Sequence, residues 1–261
     1  MDRPPAALVA AALPLTAFLA LPVVVLLARA VRPEALSALA LPVATEALRL
    51  SLVTTGMALL VTIAAGTPLA YLLARYRFRG QRWLDTIVDL PVVLPPVVAG
   101  VALLLVFGRR GLLGAPLAEA GVPLAFTTTA VVLAQVFVAS PYYVRAMKVG
   151  FAAVPRDLEA AALSDGATRW QAFWRVTVPL AAPAFVEGTV LSWARALGEF
   201  GATIVFAGSF AGVTRTLPLA IYAELERDLN AAIAAAALLT VVAAGMFVLV
   251  RSVDRGTQGG R

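Results

Sequence analysis

Residues Glu159 to Leu180 read EAAALSDGATRWQAFWRVTVPL, a charged and aromatic passage set between long apolar runs. Pro155 suits the first position of a helix, and nothing from Arg156 to Ser164 breaks one before Gly166. Thr168-Arg169-Trp170-Gln171 has the form of a capping box, which predicts a second short helix. Trp170, Phe173, Trp174 and Thr177 recur at i, i+3, i+4 and i+7 and form one bulky face, with Arg169, Gln171 and Arg175 off it. Pro179 is expected to mark the boundary before the next apolar run.

On either side the chain is apolar. It has 261 residues, 61% hydrophobic and 14% charged, where an ordinary soluble domain has about a quarter charged. A helix needs about 20 apolar residues to cross the hydrocarbon layer, and lipid tolerates no unpaired backbone. Six runs qualify, at about Ala6 to Ala30, Leu50 to Ala74, Leu90 to Phe107, Phe126 to Val144, Leu180 to Ala207 and Ala231 to Val250. The expected fold is a single all-α membrane domain over residues 1–261, with its longest polar loop at about 151–178. Arg3 and Ala28-Arg29-Ala30 would also fit a cleaved signal, but the first run is longer than a signal's apolar core of about 7–15 residues. A retained helix is therefore expected.

Composition also excludes chemistry. The chain has no cysteine and no histidine, which removes disulfides, thiolate nucleophiles, imidazole metal ligands and His-based triads. No catalytic or metal-binding residue is expected. The one lysine, Lys148, lies in MKVGF, so there is no phosphate-cradling GxxxxGK[ST] loop. The net charge of +6 is spread between apolar runs rather than along a basic stripe, which speaks against nucleic acid.

Positive charge in short loops sets orientation. Arg3, Arg75, Arg77, Arg79, Arg82, Arg145, Lys148, Arg156, Arg169, Arg175, Arg251, Arg255 and Arg261 fall on one side. Arg29, Arg32, Arg49, Arg109, Arg110, Arg215 and Arg227 fall on the other, with Arg195 inside the membrane. Both termini and the 151–178 loop are thus expected in the cytoplasm. That loop reads either as an interfacial connector with tryptophans at headgroup level, or as a rigid docking knob whose aromatics and arginines anchor a partner.

Glu159-Ala160-Ala161, Gly166 and Val176-Thr177-Val178-Pro179 resemble the EAA loop of permease subunits of binding-protein-dependent ABC importers. The glutamate-to-glycine distance is one residue longer than that loop's commonest form. The resemblance implies a type I importer fold in the cytoplasmic (inner) membrane. It also implies a coupling helix that docks on a cytoplasmic ATPase through Glu159, Ala160, Ala161, Gly166, Trp170, Phe173, Trp174 and Pro179. No cofactor is then expected on this chain, since ATP and Mg²⁺ belong to the ATPase subunits.

Charges also stand inside the fifth run. Arg195 and Glu199 are spaced i, i+4 and can pair, with Ser192 and Thr203 nearby and Gly198 and Gly201 allowing close approach. Two readings stay open: a structural ion pair, or a polar lining for an ionic substrate made of Ser192, Arg195, Glu199 and Thr203. Glu187 stands apart and reads as a packing or interface residue. In Leu90 to Gly100, LPVVLPPVVAG, proline and glycine mark either an irregular span beside a cavity or a kinked packing helix.

DLPVVLPPVVAGVALLLVFGRRGLLG, ARALGEFGATIVFAG and TRTLPLAIY are similar to the molybdate and tungstate branch of these permeases, with the sulfate branch a near relative. The implied partners are a second copy of the chain, an ATPase dimer, an oxyanion-binding protein that is periplasmic or lipid-anchored, and the bilayer. The competing classes are a gradient-driven transporter using Glu187, Arg195 and Glu199, and a membrane enzyme, which the lack of His and Cys disfavours.

The orientation is testable directly. A reporter inserted at Arg79 is expected to read cytoplasmic and one at Gly114 external; an external signal at Arg79 would invert the topology.

Overall fold

The structure, a computed structural model, describes residues 5–35 and 42–258. Arg3 and Arg261, used above for orientation, lie outside the described residues. The described residues are helical and contain no strand. In chain order the helices are α1 (Ala6–Ala30), α2 (Pro42–Arg75), α3 (Gln81–Val93), α4 (Pro96–Phe107), α5 (Gly114–Glu119), α6 (Thr128–Ala153), α7 (Arg156–Ser164), α8 (Arg169–Leu197), α9 (Gly201–Phe206), α10 (Leu217–Leu225) and α11 (Leu229–Gln258). Five of them, α1, α2, α6, α8 and α11, are long and apolar enough to cross a membrane.

The third expected span is not one helix. Its backbone breaks at Leu94 and Pro95, and α3 and α4 meet at a bend of 119°. Pro95 lacks an N–H and pushes Leu94 into an extended conformation, so the helical ladder cannot continue. At about 18 Å, α4 is too short to cross alone.

The fifth span differs in two ways. Its helix begins at Arg169, eleven residues before the expected start, so the second short helix of the loop is the first turns of the span. Pro179 is therefore no boundary. The chain passes it through one turn of π-helix, Phe173–Thr177, in which the Val178 N–H reaches back to the Phe173 carbonyl. Widening that turn by one residue makes room for a proline that an α-helix would reject. At the far end the span stops at Leu197, and a short break at Gly198 to Phe200 leads into α9.

The centre of the fold is α6, packed on both α2 and α8. Small residues allow the closeness: a Cβ on Gly150 would fall 2.2 Å from Ala184 Cβ, and one on Gly188 would fall 2.9 Å from Ala146 Cβ. Gln135 adds polar ties, its amide donating to Thr55 Oγ1 on α2 at 3.3 Å and to the Ala196 carbonyl on α8 at 3.2 Å. Such interhelical bonds are worth about 0.6 kcal/mol each in a membrane, so they fix register more than they stabilise. A second unit is formed by α4 and α9, where Gly201 meets Pro96 and Gly100 meets Ala202. The helix α1 lies against α11 and leaves its apolar side chains exposed, as lipid or a protein neighbour requires.

Candidate functional site

The loop end of the bundle is built from local signals. α7 opens after Pro155 with Asp157 and Glu159 in its first turn, where carboxylates suit the helix dipole. It ends at Gly166, whose φ of +88° is the left-handed position a side chain resists. The Ala167 N–H donates to the Ala162 carbonyl and the Gly166 N–H to the Leu163 carbonyl, the paired closure of a Schellman turn. Two residues on, Thr168 and Gln171 complete the expected capping box: the Gln171 N–H donates to Thr168 Oγ1 at 3.2 Å, and the Thr168 N–H to Gln171 Oε1 at 2.9 Å.

Glu159 ties this knob to the spans. One oxygen, Oε1, accepts from Arg75 Nη2 at 2.7 Å, and the same oxygen accepts from Thr177 Oγ1 in the π-turn. Arg75 is the last residue of α2, and its side chain is 7% exposed, against 21% for Glu159. Arg156 also donates to the Arg75 carbonyl, and Gln81 Nε2 donates to the Leu73 carbonyl, so the open end of α2 is capped by its neighbours. The sequence marks Arg75 only for orientation and Thr177 only as part of the aromatic face and of the EAA-like match. The structure buries Thr177 and pairs both with Glu159, a meeting of three helices that sequence spacing does not show.

The aromatic face divides. Phe173, expected on the docking side, packs at 5.0 Å from the Tyr71 ring and 6.2 Å from the Phe151 ring, so it fixes the start of α8 to the bundle instead. Trp170 and Trp174 stay 69% and 51% exposed. With Thr67, Tyr71 and Phe185 these residues line an apolar groove of about 840 Å³, and Arg169 forms part of its wall. Ala160 and Pro179 are exposed, as is Ala161.

Of the four residues grouped in the fifth span, only Arg195 reaches an open face. Arg195 Nη1 lies 2.6 Å from Glu199 Oε2, the two side chains being 27% and 1% exposed. That contact is an ion pair without hydrogen-bond alignment, since Oε2 has no hydrogen-bond partner among the described residues. The other carboxylate oxygen accepts from the Ala202 N–H at 2.7 Å and so caps α9. Ser192 is buried and donates to the Ala139 carbonyl at 3.1 Å, a tie between α8 and α6. Thr203 is fully buried, with its hydroxyl unpaired among the described residues. Within one chain these four do not share a surface. Glu199 thus accepts from the first turn of α9 as well as carrying a charge.

Two further ion pairs were not anticipated. Arg145 Nε meets Asp89 Oδ1 at 2.6 Å and Lys148 Nζ meets Asp85 Oδ1 at 2.5 Å, fastening α3 to α6. Asp85 and Asp89 recur at i, i+4 in a helix that is mainly apolar, and that spacing is the available signal. These side chains are 30 to 49% exposed, so the pairs place α3 more than they stabilise it. No group of three or more His, Cys, Asp or Glu side chains able to hold a metal occurs among the described residues.

Residues 66–259 match the family described as binding-protein-dependent transport system inner membrane component. The chain is 47% identical over 227 residues to a molybdenum transport system permease protein ModB of Mycobacterium bovis, covering 87% of this chain and 86% of that one. It is 36% identical over 212 residues to a probable sulfate transport system permease protein of Chlorokybus atmophyticus, covering 80% and 74%. Its fold is similar to that of a bacterial ABC transporter involved in import of the acidic polysaccharide alginate, with a TM-score of 0.74 at 19% identity over 95% of this chain and 94% of that one. The likeness identifies the type I ABC importer permease fold.

Glu199 generates a stability prediction. Arg195→Met strands a buried carboxylate and is expected to cost about 1–3 kcal/mol, below the usual cost of breaking a buried pair because Arg195 is partly solvated. Arg195→Met with Glu199→Gln removes the charge yet keeps the acceptor for Ala202, and should recover most of that loss. Thermal unfolding of the purified proteins decides, and a single variant as stable as the wild type would contradict the assignment.

Proposed function

Because the chain belongs to the family of inner membrane components of binding-protein-dependent transport systems, we propose that it forms the translocation path of an ATP-driven importer for a tetrahedral oxyanion, molybdate or tungstate. It is a multi-pass inner-membrane transport subunit. The observation that carries the substrate reading is the extent of the likeness to the molybdenum permease, which runs through nearly the whole chain. A chain of this length carries one coupling loop, and an importer with two ATPase subunits needs two. Two copies related by a twofold axis then enclose the path.

The chain lacks a phosphate cradle, so its energy comes from an ATPase that binds outside it. ATP closes the two ATPase subunits and moves both coupling loops. In each copy α7 is attached through Glu159 to the end of α2 and to the π-turn of α8, so the stroke reaches two spans together. The spans open outward, a binding protein delivers the anion, and hydrolysis resets them. Trp170 and Trp174, exposed beside the loop, and Ala160 and Ala161 on α7 supply the docking surface. The sulfate reading is kept as second because a sulfate permease is also similar over most of the chain.

The test is uptake of labelled molybdate into proteoliposomes holding this chain, its ATPase and its binding protein. Uptake is expected to require ATP, to survive an uncoupler and to resist excess sulfate. Uptake that continues without the ATPase and collapses with an uncoupler would establish a secondary transporter. Full competition by sulfate would move the substrate to the sulfate branch.

A further inference from the structure

The helix α8 has one face that nothing in the chain covers. Arg175, Pro179, Pro183, Glu187 and Leu191 recur every four residues along it, and all are exposed. Beside this stripe runs a groove of about 540 Å³, walled by Leu180, Glu187 and Leu191 on α8 and by Tyr142, Arg145 and Val149 on α6. Glu187 lies in the apolar part of α8, away from either helix end, next to Gly188, which packs against Ala146 of α6. It takes part in none of the ion pairs among the described residues. A carboxylate at membrane depth cannot be left against lipid tails and is found facing water, a bundle interior or a partner.

The same groove holds a cation: Arg145, grouped above with the cytoplasmic loop charges, lies within the span α6 beside Ala146 and so level with Glu187. Arg145 is half exposed there, and Asp89 occupies only one side of its guanidinium, at Nε. Acyl chains complement neither group. A patch carrying one carboxylate and one guanidinium is self-complementary under a twofold axis, since each residue then meets the other in the neighbouring chain. We propose that the α6–α8 groove is closed by the same groove of a second copy, with Glu187 of each chain ion-paired to Arg145 of the other. This rests on the homodimer reading above and assigns its seam. Arg145 then joins three helices, α3 of its own chain through Asp89, its own α6, and α8 of the second copy. An oxyanion moving between the copies must part the two pairs, and Arg145 is the cation it meets there.

The natural chain has no cysteine, so the seam can be mapped without a background. Two differently tagged chains are co-expressed with the ATPase, one carrying Glu187→Cys and the other Arg145→Cys, and oxidised in membranes. The expected result is a covalent band at twice the mass of the chain that carries both tags. Leu60→Cys in both chains, on an exposed part of α2 away from this groove, should give none. Since Arg145→Cys deprives Asp89 of its partner, Tyr142→Cys against Glu187→Cys serves as a second pair from the same wall. If both tags co-purify but neither pair cross-links, the homodimer stands and the seam is wrong. If the tags do not co-purify at all, the homodimer reading falls with it.

Discussion

One carboxylate oxygen holds three helices together. Glu159 Oε1 accepts from Arg75 at the end of α2 and from Thr177 in the π-turn of α8, while its own backbone belongs to α7. Removing it would leave the Arg75 guanidinium, 7% exposed and with Nε already unpaired, without its counter-ion. Losing one partner of a buried pair costs more than the pair itself contributes. The value of the contact is therefore geometric. It ties α7 to the end of α2 and to the π-turn of α8, the attachment through which the proposed coupling stroke would reach two spans.

The body continues along α8. Its 29 residues span about 44 Å, more than the hydrocarbon thickness, and they begin in the loop itself. The π-turn lets the helix carry Pro179 without ending, so the capped start at Thr168 and Arg195 near the far end belong to one rod, and Arg195 reaches past that end to Glu199. Beyond Leu197 the backbone breaks, and the Glu199 carboxylate caps the new helix α9, which packs through Gly201 on Pro96 at the broken third span. The second discontinuity, at Leu94 and Pro95 between α3 and α4, follows the stretch of α3 that Asp85 and Asp89 fasten to α6. The tied loop end and the broken backbone beyond Leu197 fit the coupling role proposed for this chain.

Much of this was legible in the sequence because the signals are local. The apolar runs located five spans to within a few turns, and Gly166, Thr168 and Gln171 specified the turn and cap that the structure shows. The Leu94-Pro95 break lay in an interruption already marked by its prolines. Pro179 misled because a proline usually ends a helix, and a π-turn leaves no composition signature. Ser192 and Thr203 were grouped with Arg195 by spacing along one helix, but α8 stops at Leu197 and Thr203 belongs to another rod. Arg75 and Glu159 are 84 residues apart and meet only through packing, which no short pattern encodes.

The central claim is that Glu159 transmits the stroke rather than merely stabilising the loop. The most direct measurement is the number of ATP molecules hydrolysed per anion taken up, in proteoliposomes reconstituted with Glu159→Gln or with Thr177→Val. Both variants are predicted to keep the ATPase bound and hydrolysing while uptake falls, so the ratio rises in each. An unchanged ratio in both, with the complex intact, would contradict the account.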